Sequence, residues 1–267
     1  MKDLFDNLGF SWDRSAIPRD VPRHSVRRTC FRLKSMLAEY VWDASMLEGN
    51  PFTFPEVKTL LDGVTVGGHR LSDQEQVRNL AESTKALTRM VLHGTFAMDE
   101  ATFCELHGII AREEALEWGH FRGDGEETRY TPHVSLGEGG TFDPEPTQPG
   151  AENLHTLFRQ GVRALEEQVT DPFERAMAFF LFGARHQFFF DGNKRTARMM
   201  MNGILMSSGI DAISVPAARA AEFNERMVGF YLGDDATDMM CFLASCHPEV
   251  EPCHPPEPGD PGTTPAT

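Results

Sequence analysis

The sequence predicts an all-α protein with one short β-like flap. Three observations lead there. Apolar residues recur at helical spacing through most of the chain. Two nearly all-apolar helical stretches bracket a polar loop around His186 to Asn193. A single long segment, 119–150, replaces helical periodicity with Gly, Pro and Thr.

Taken in order, residues 1–24 hold Pro18, Pro22 and mixed charges, and read as an irregular N-terminal arm. From Ser25 to Leu47 the positions Val26, Leu33, Leu37, Val41 and Ala44 share one helical face, and Glu48-Gly49-Asn50-Pro51 stops the helix. A short helix is expected from Pro55 to Leu61, with turns at Gly63 and Gly67-Gly68. Ser72, with Glu75 three residues on, has the pattern of an N-cap for a helix reaching Leu92. Asp99 is placed to cap another, ending near Glu113. The 119–150 segment includes Thr128-Arg-Tyr-Thr-Pro-His-Val134, whose alternation suits a hairpin or extended loop; a loop this long in a compact domain is usually functional or mobile. Helical character returns from Glu152 to Gln168. Asp171-Pro172 then reads as an N-cap followed by proline at the first helical position, opening a helix to about Arg185. That helix is apolar almost all round, which predicts a central position. The next runs from Asn193 to Ser208 with Gly209 as its stop, and two more are expected near 216–232 and 235–246. Residues 247–267, rich in Pro, Glu, Gly and Thr, read as a disordered tail after a domain spanning 25–246.

Composition narrows the function. The formal net charge is −15, which repels nucleic-acid backbones, so no nucleic-acid partner is expected and any phosphate site must be local. No apolar stretch nears the roughly 20 residues that span a bilayer, and no basic segment followed by an apolar run opens the chain, so neither a membrane nor a secretory leader is expected. The five cysteines, odd in number and mostly scattered, suit reduced thiols and a cytoplasmic setting. Cys246-His247 and Cys253-His254 form a small metal-capable group, but it is surrounded by proline and lacks a ligand pair at zinc-finger spacing.

The chemistry concentrates in Arg185-His-Gln-Phe-Phe-Phe-Asp-Gly-Asn-Lys-Arg-Thr-Ala-Arg198. Asp191, Gly192 and Asn193 stand where the second apolar helix begins, and a helix N-terminus offers unpaired N–H groups and partial positive charge. Gly192 lets a ligand approach the backbone closely. Lys194, Arg195 and Arg198 oppose the helix dipole, a cost that an anionic ligand would remove. Asp191 supplies a hard oxygen where Mg²⁺ would bridge nucleotide phosphates. The plainer reading is an Asp N-cap, a glycine turn and a solvated basic face. It accounts for each residue singly, but less well for all of them together between two buried helices.

Asp191 to Arg198 resembles the second half of the Fic (Fido) family signature, H-x-F-x-[D/E]-G-N-[G/K]-R-x-x-R, at every defined position. The resemblance spans roughly 25–246 and implies a Fic-type helical bundle in which 25–62 form an inhibitory helix region, 119–150 the flap and 172–209 the motif helices. It implies a protein adenylyltransferase that moves AMP from ATP to a hydroxyl of a target protein, with self-modification possible. Asp191 would hold Mg²⁺, Gly192 and Asn193 would form an anion hole, and Lys194, Arg195 and Arg198 would complete the nucleotide site. A target segment would pair with the flap, about Thr128 to Thr141.

The pattern departs in two places. The family's catalytic histidine lies four residues before the acid, which here is Gln187, with His186 one residue further back. Either His186 reaches the site through a bulge or Gln187 stands in the general-base position. The latter favours a nucleotide-binding pseudoenzyme or interaction module, since an amide cannot take a proton as imidazole can. Lys194, where most AMP-transferring members carry Gly, resembles the Doc branch and keeps a phosphotransferase reading open. Finally, Ala44-Ser45-Met46-Leu47-Glu48-Gly49 partly matches the inhibitory pattern [S/T]-x-x-x-E-[G/N], so Glu48 is expected to pair with Arg198 and block the γ-phosphate.

Overall fold

The computed structural model describes residues 4–251. Those residues form eleven α-helices and one two-stranded antiparallel hairpin. α1 is Leu4–Leu8, α2 Val26–Ser35, α3 Leu37–Met46, α4 Phe54–Leu61, α5 Leu71–His93 and α6 Glu100–Ile110. β1 (Val134–Ser135) and β2 (Thr141–Phe142) make the hairpin, in register Val134 to Phe142. Then follow α7 Glu152–Gln168, α8 Pro172–His186, α9 Asn193–Ser207, α10 Ala220–Gly233 and α11 Thr237–Ser245. The all-α expectation with a short flap holds.

α8 and α9 form the centre. Asp171 caps α8 by accepting from the Phe173 and Glu174 amides at 2.9 Å each, and Pro172 follows as the sequence implied. Nearly all of α8 is buried, including Phe173, Phe179, Phe180 and Phe182. Such burial on every side leaves its C-terminal loop no freedom to wander, and that loop is the candidate site. Asp99 caps α6 through the Thr102 amide at 2.8 Å, and Gly94 ends α5 in the left-handed conformation.

α7 reaches α8 through Gly161, where a Cβ would lie 2.2 Å from Cζ of Phe182. Alanine is normally worth about 1 kcal/mol over glycine in a helix. Here the overlap should outweigh that, because overpacking a tight core costs ~1–3 kcal/mol. Gly161→Ala is therefore expected to lower the denaturant midpoint; an unchanged or higher midpoint would contradict this packing.

Four expectations need correction. The predicted helix from 25 to 47 is two helices, broken at Met36 (φ −100°, ψ 14°), with no Pro or Gly to announce the break. Ser72 is not a cap: α5 begins one residue earlier, after Arg70, and Ser72 lies in its first turn. The arm 1–24, expected to be irregular, is not wholly so where it is described. It starts with α1 and buries Leu4, Leu8, Phe10, Trp12, Ile17 and Val21. Glu174 on α8 anchors it, accepting from Trp12 Nε1 at 2.9 Å and Arg14 Nε at 2.6 Å. Leu4 and Leu8 lie four apart in α1, but from Phe10 to Val21 the backbone is not helical and gives the apolar residues no period, so periodicity misses them. The tail also begins later than expected: His247 is buried and Glu249 pairs with His24 at 2.7 Å. The rest of the tail, including Cys253 and His254, lies outside the described residues. No helix among the described residues is long and apolar enough to cross a membrane.

Candidate functional site

The α8–α9 loop is shaped by two left-handed residues. Gln187 ends α8 at φ +48°, and Gly192 precedes α9 at φ +72°. Glycine meets the second demand at little cost. A Cβ on Gly192 would also stand 3.2 Å from Cβ of Ala111, so space and conformation both ask for glycine. Asn193 closes the loop: its Nδ2 donates to the carbonyl of Phe189 (2.9 Å) and to Oε1 of Gln187 (3.0 Å), and its Oδ1 accepts from the Phe189 amide (2.9 Å). The Asn193 side chain thus holds the loop, and Asn193 also lines the cavity beside it. Asp191 is exposed and its carboxylate takes the Gly192 amide at 2.6 Å.

Beside the loop lies a cavity of about 250 Å³ lined by Glu48, His133, Gln187, Asp191, Lys194 and Arg195 among others. Two elements far apart in sequence meet there: the turn after α3 brings Glu48, and the flap brings residues 132–135. Glu48 Oε1 accepts from Arg198 Nη2 at 2.9 Å, the pairing expected from the sequence. Burial pushes the Glu48 carboxyl up, but Arg198, Arg195 and Lys194 together outweigh burial and hold it below the ordinary carboxylate range. Arg195 donates to Glu114 Oε2 at 2.6 Å from α9 toward the end of the segment following α6. Both guanidinium groups are almost wholly buried, yet Arg195 Nε and Arg198 Nη1 have no acceptor. Buried donors left unmet are costly, at ~1–3 kcal/mol each; Glu114 Oε1 is unmet as well, so the site holds unused donors beside one unused carboxylate oxygen. A larger cavity of about 560 Å³ lies between α10 and α11, but its Arg219 and Arg226 are already bound to Glu222.

The donor set fits a magnesium nucleotide. Arg195 and Arg198 have spare N–H groups for phosphate oxygens, the first turn of α9 points amides toward the cavity side, and the Asp191 carboxylate is exposed enough to take a hard cation.

His186 does not reach the cavity. Its Nε2 donates to the carbonyl of Leu8 at 2.8 Å, on the far side toward the N-terminal arm. Of the two alternatives the sequence left open, Gln187, at a left-handed turn, is among the residues that line the cavity, and His186 is not. Gln187 Nε2 donates back to the Ala184 carbonyl at 2.5 Å.

Three supporting residues escaped the sequence reading. Arg122 is fully buried, and its guanidinium donates to the Gln187 carbonyl (2.6 Å), Thr147 Oγ1 (2.7 Å) and the Glu145 carbonyl, tying the flap segment to the loop. Burial pushes its pKa down to about 10, which leaves it cationic at neutral pH. His107 on α6 stacks on Phe189 at 3.6 Å between centroids. Its Nδ1 accepts from the Gly119 amide (3.1 Å), which leaves Nε2–H to donate to the Asp191 carbonyl (2.9 Å). Glu114 is the third, through Arg195. A lone histidine on the apolar face of α6, beside Phe103, Leu106 and Ile110, was the one available signal.

These buried histidines make stability pH-dependent. Burial pushes His107 down to about 3 and His186 down to about 4, each partly offset by its bond to a carbonyl. An unfolded histidine titrates near 6.5, so on acidification the unfolded chain takes up protons first. The contribution is complete above about pH 6.5 and is lost progressively as pH falls toward about 4. His247 is lowered as well; His155 is raised, because Glu100 and Asp124 outweigh its burial, and acts in the opposite sense. The denaturant midpoint at pH 5 is therefore expected below that at pH 7; equal midpoints would contradict neutral burial.

Comparison with known proteins gives a consistent result. Residues 97–205 match the Fic/DOC family. A protein adenylyltransferase fic-1 of Caenorhabditis elegans is 26% identical over 227 residues, 81% of this chain and 41% of that protein. A protein adenylyltransferase Fic of Nematostella vectensis is 22% identical, over 80% of this chain and 48% of its own. The chain thus spans under half the length of these curated relatives. Among solved structures, Fic-1 of C. elegans superposes with a TM-score of 0.65 at 21% identity, covering 91% of this chain and 66% of that one. A Fic-domain-containing signaling protein of Bacteroides thetaiotaomicron gives 0.66 at 19% identity, covering 91% and 90%. At these identities the superpositions establish the fold.

Proposed function

Since residues 97–205 are a domain of the Fic/DOC family, we propose that the chain is a protein adenylyltransferase that moves AMP from ATP to a target hydroxyl and is held off by Glu48. The observation that carries this is the pair of buried, under-used guanidinium groups at the head of α9, one of them occupied by Glu48.

In this reading Arg195 and Arg198 bind the outer phosphates, and Lys194 adds charge at the cavity rim. Gly192 and the amides of the first turn of α9 hold the inner phosphates. Asp191 would hold Mg²⁺, which would supply positive charge beside the phosphates when bound. The Gly192 amide, now taken by the Asp191 carboxylate, would then be open to the nucleotide. The target's hydroxyl oxygen attacks the α-phosphorus, the bond to the bridging oxygen breaks, and pyrophosphate departs. The flap supports the acceptor: β1 pairs with β2 on one edge and with no other strand among the described residues, so an extended target segment has an edge to join. While Glu48 holds Arg198, the γ-phosphate lacks its anchor and the triphosphate cannot settle with the α-phosphorus toward the flap.

Lys194 favours a second reading, phosphotransfer from a nucleotide bound in reverse, and Gln187 a third, nucleotide binding without transfer. ATP labelled at the α- or at the γ-phosphate separates them in the Glu48→Gly chain. Self-labelling from the α-position only is expected. Labelling from the γ-position would establish phosphotransfer instead, and bound ATP with neither label would establish a binding module.

A further inference from the structure

Transfer to a hydroxyl needs a group to accept its proton, and the residue nearest the expected place is an amide. Gln187 is engaged at both ends, through Asn193 and Ala184. Of the imidazoles near the loop, His186 is bound to the Leu8 carbonyl and His107 is bound through both nitrogens behind Phe189. Neither lines the cavity.

One imidazole does. His133 stands on the flap, immediately before β1, exposed and without a hydrogen bond to the protein, and it shares the cavity with Gln187 and Asp191. The other ionisable groups there are committed or of the wrong kind: Glu48 holds Arg198, Arg195 holds Glu114, Lys194 is a cation, and Asp191 serves the metal in the reading above. Position also favours His133. A target segment that joins β1 places its acceptor side chain between the flap and the α8–α9 loop, the space His133 borders. The cavity, at about 250 Å³, is small enough that a group on either wall reaches a substrate atom inside it.

We propose that His133 is the general base of this site, a catalytic role moved from the α8–α9 loop to the flap. The claim rests on the adenylyl-transfer reading. As the hydroxyl oxygen bonds to the α-phosphorus and pyrophosphate leaves, the hydroxyl proton passes to the free imidazole nitrogen and from there to solvent. Imidazole suits that task near neutral pH, where an amide does not.

The test uses the full chain with Glu48→Gly and self-labelling from α-labelled ATP. Adding His133→Ala is expected to cut labelling by about 10²-fold or more, the usual contribution of a general base. Magnesium–ATP affinity, measured by calorimetry, should stay within about twofold, since the base does not hold phosphate. Free imidazole added to the His133→Ala chain should restore part of the labelling, and should leave the His133 chain unchanged. Undiminished labelling after His133→Ala would overturn this proposal alone and leave adenylyl transfer standing. Lost labelling accompanied by lost ATP binding, or a failure of imidazole to rescue, would also overturn it, by making His133 a binding or structural residue. A Glu48→Gly chain that binds ATP and never labels would overturn adenylyl transfer and this inference together.

Discussion

Replacing Glu48 by glycine is expected to raise self-labelling from α-labelled ATP by about 10- to 100-fold, because a charge-assisted hydrogen bond is worth ~1.5–3 kcal/mol and each 1.4 kcal/mol is a factor of ten. The bond at stake is Arg198 Nη2 to Glu48 Oε1, 2.9 Å long between two side chains largely shielded from water. The nucleotide must displace this carboxylate before Arg198 can reach a phosphate, and Arg198 has a second donor, Nη1, waiting without a partner. Removing the carboxylate gives the whole guanidinium to the ligand. The fold should tolerate the change. Glu48 lies beyond the end of α3, and the turn there is held by other groups: Gly49 at φ +73°, the Asn50 amide on the Ser45 carbonyl, and the Asn50 side chain on Asp73 and Gln76. Mild acid should not substitute for the mutation. The Glu48 carboxyl is held below its ordinary range, so the pair persists above the normal carboxylate titration and loosens only as pH falls through the lowered value. Labelling that is unchanged while ATP binds would remove the inhibitory role.

Arg122→Met is expected to be the most damaging substitution among the residues that shape the site. Methionine keeps much of the volume but none of the donors. The change removes the donor to Thr147 Oγ1, which keeps its own bond to the Tyr130 carbonyl, and to the part-buried carbonyls of Gln187 and Glu145. A hydrogen bond to a charged group contributes about 1.5–3 kcal/mol, so a loss of ~3 kcal/mol is expected in denaturant unfolding. Nucleotide binding should weaken too, because Arg122 fixes the carbonyl of the left-handed residue that begins the loop. The contrast is Arg112→Met. Arg112 pairs with Glu82 at 2.6 Å on the surface, and exposed pairs contribute ~0–1 kcal/mol. Similar losses from the two substitutions would mean that Arg122 is not the cross-link described here.

What the sequence revealed and what it hid differ in range. Asp99, Asp171 and Gly209 act on neighbours within a turn, and local pattern places such elements well. The Asp191–Arg198 run was legible because its residues act together in one loop and one helix start. The Glu48–Arg198 pair spans 150 residues and was reached only through a second short pattern at the end of α3. Arg122, His107 and Glu114 had no such pattern; each acts on a loop 65 to 84 residues away, and only the folded chain brings them there. The break at Met36 was invisible because the apolar stripe runs on through it. The question of His186 or Gln187 turned on one backbone dihedral, the left-handed turn at Gln187, which residue identity favours no more than a regular helix end.

The central claim is that the head of α9, with Arg195 and Arg198, is a triphosphate site closed by Glu48. Calorimetric titration of magnesium–ATP tests it most directly on three proteins: the native chain, the Glu48→Gly chain, and the Glu48→Gly chain carrying Arg195→Ala and Arg198→Ala. Tighter binding after loss of Glu48, and its disappearance after loss of the two arginines, is the expected result. Equal affinity across all three would contradict the claim.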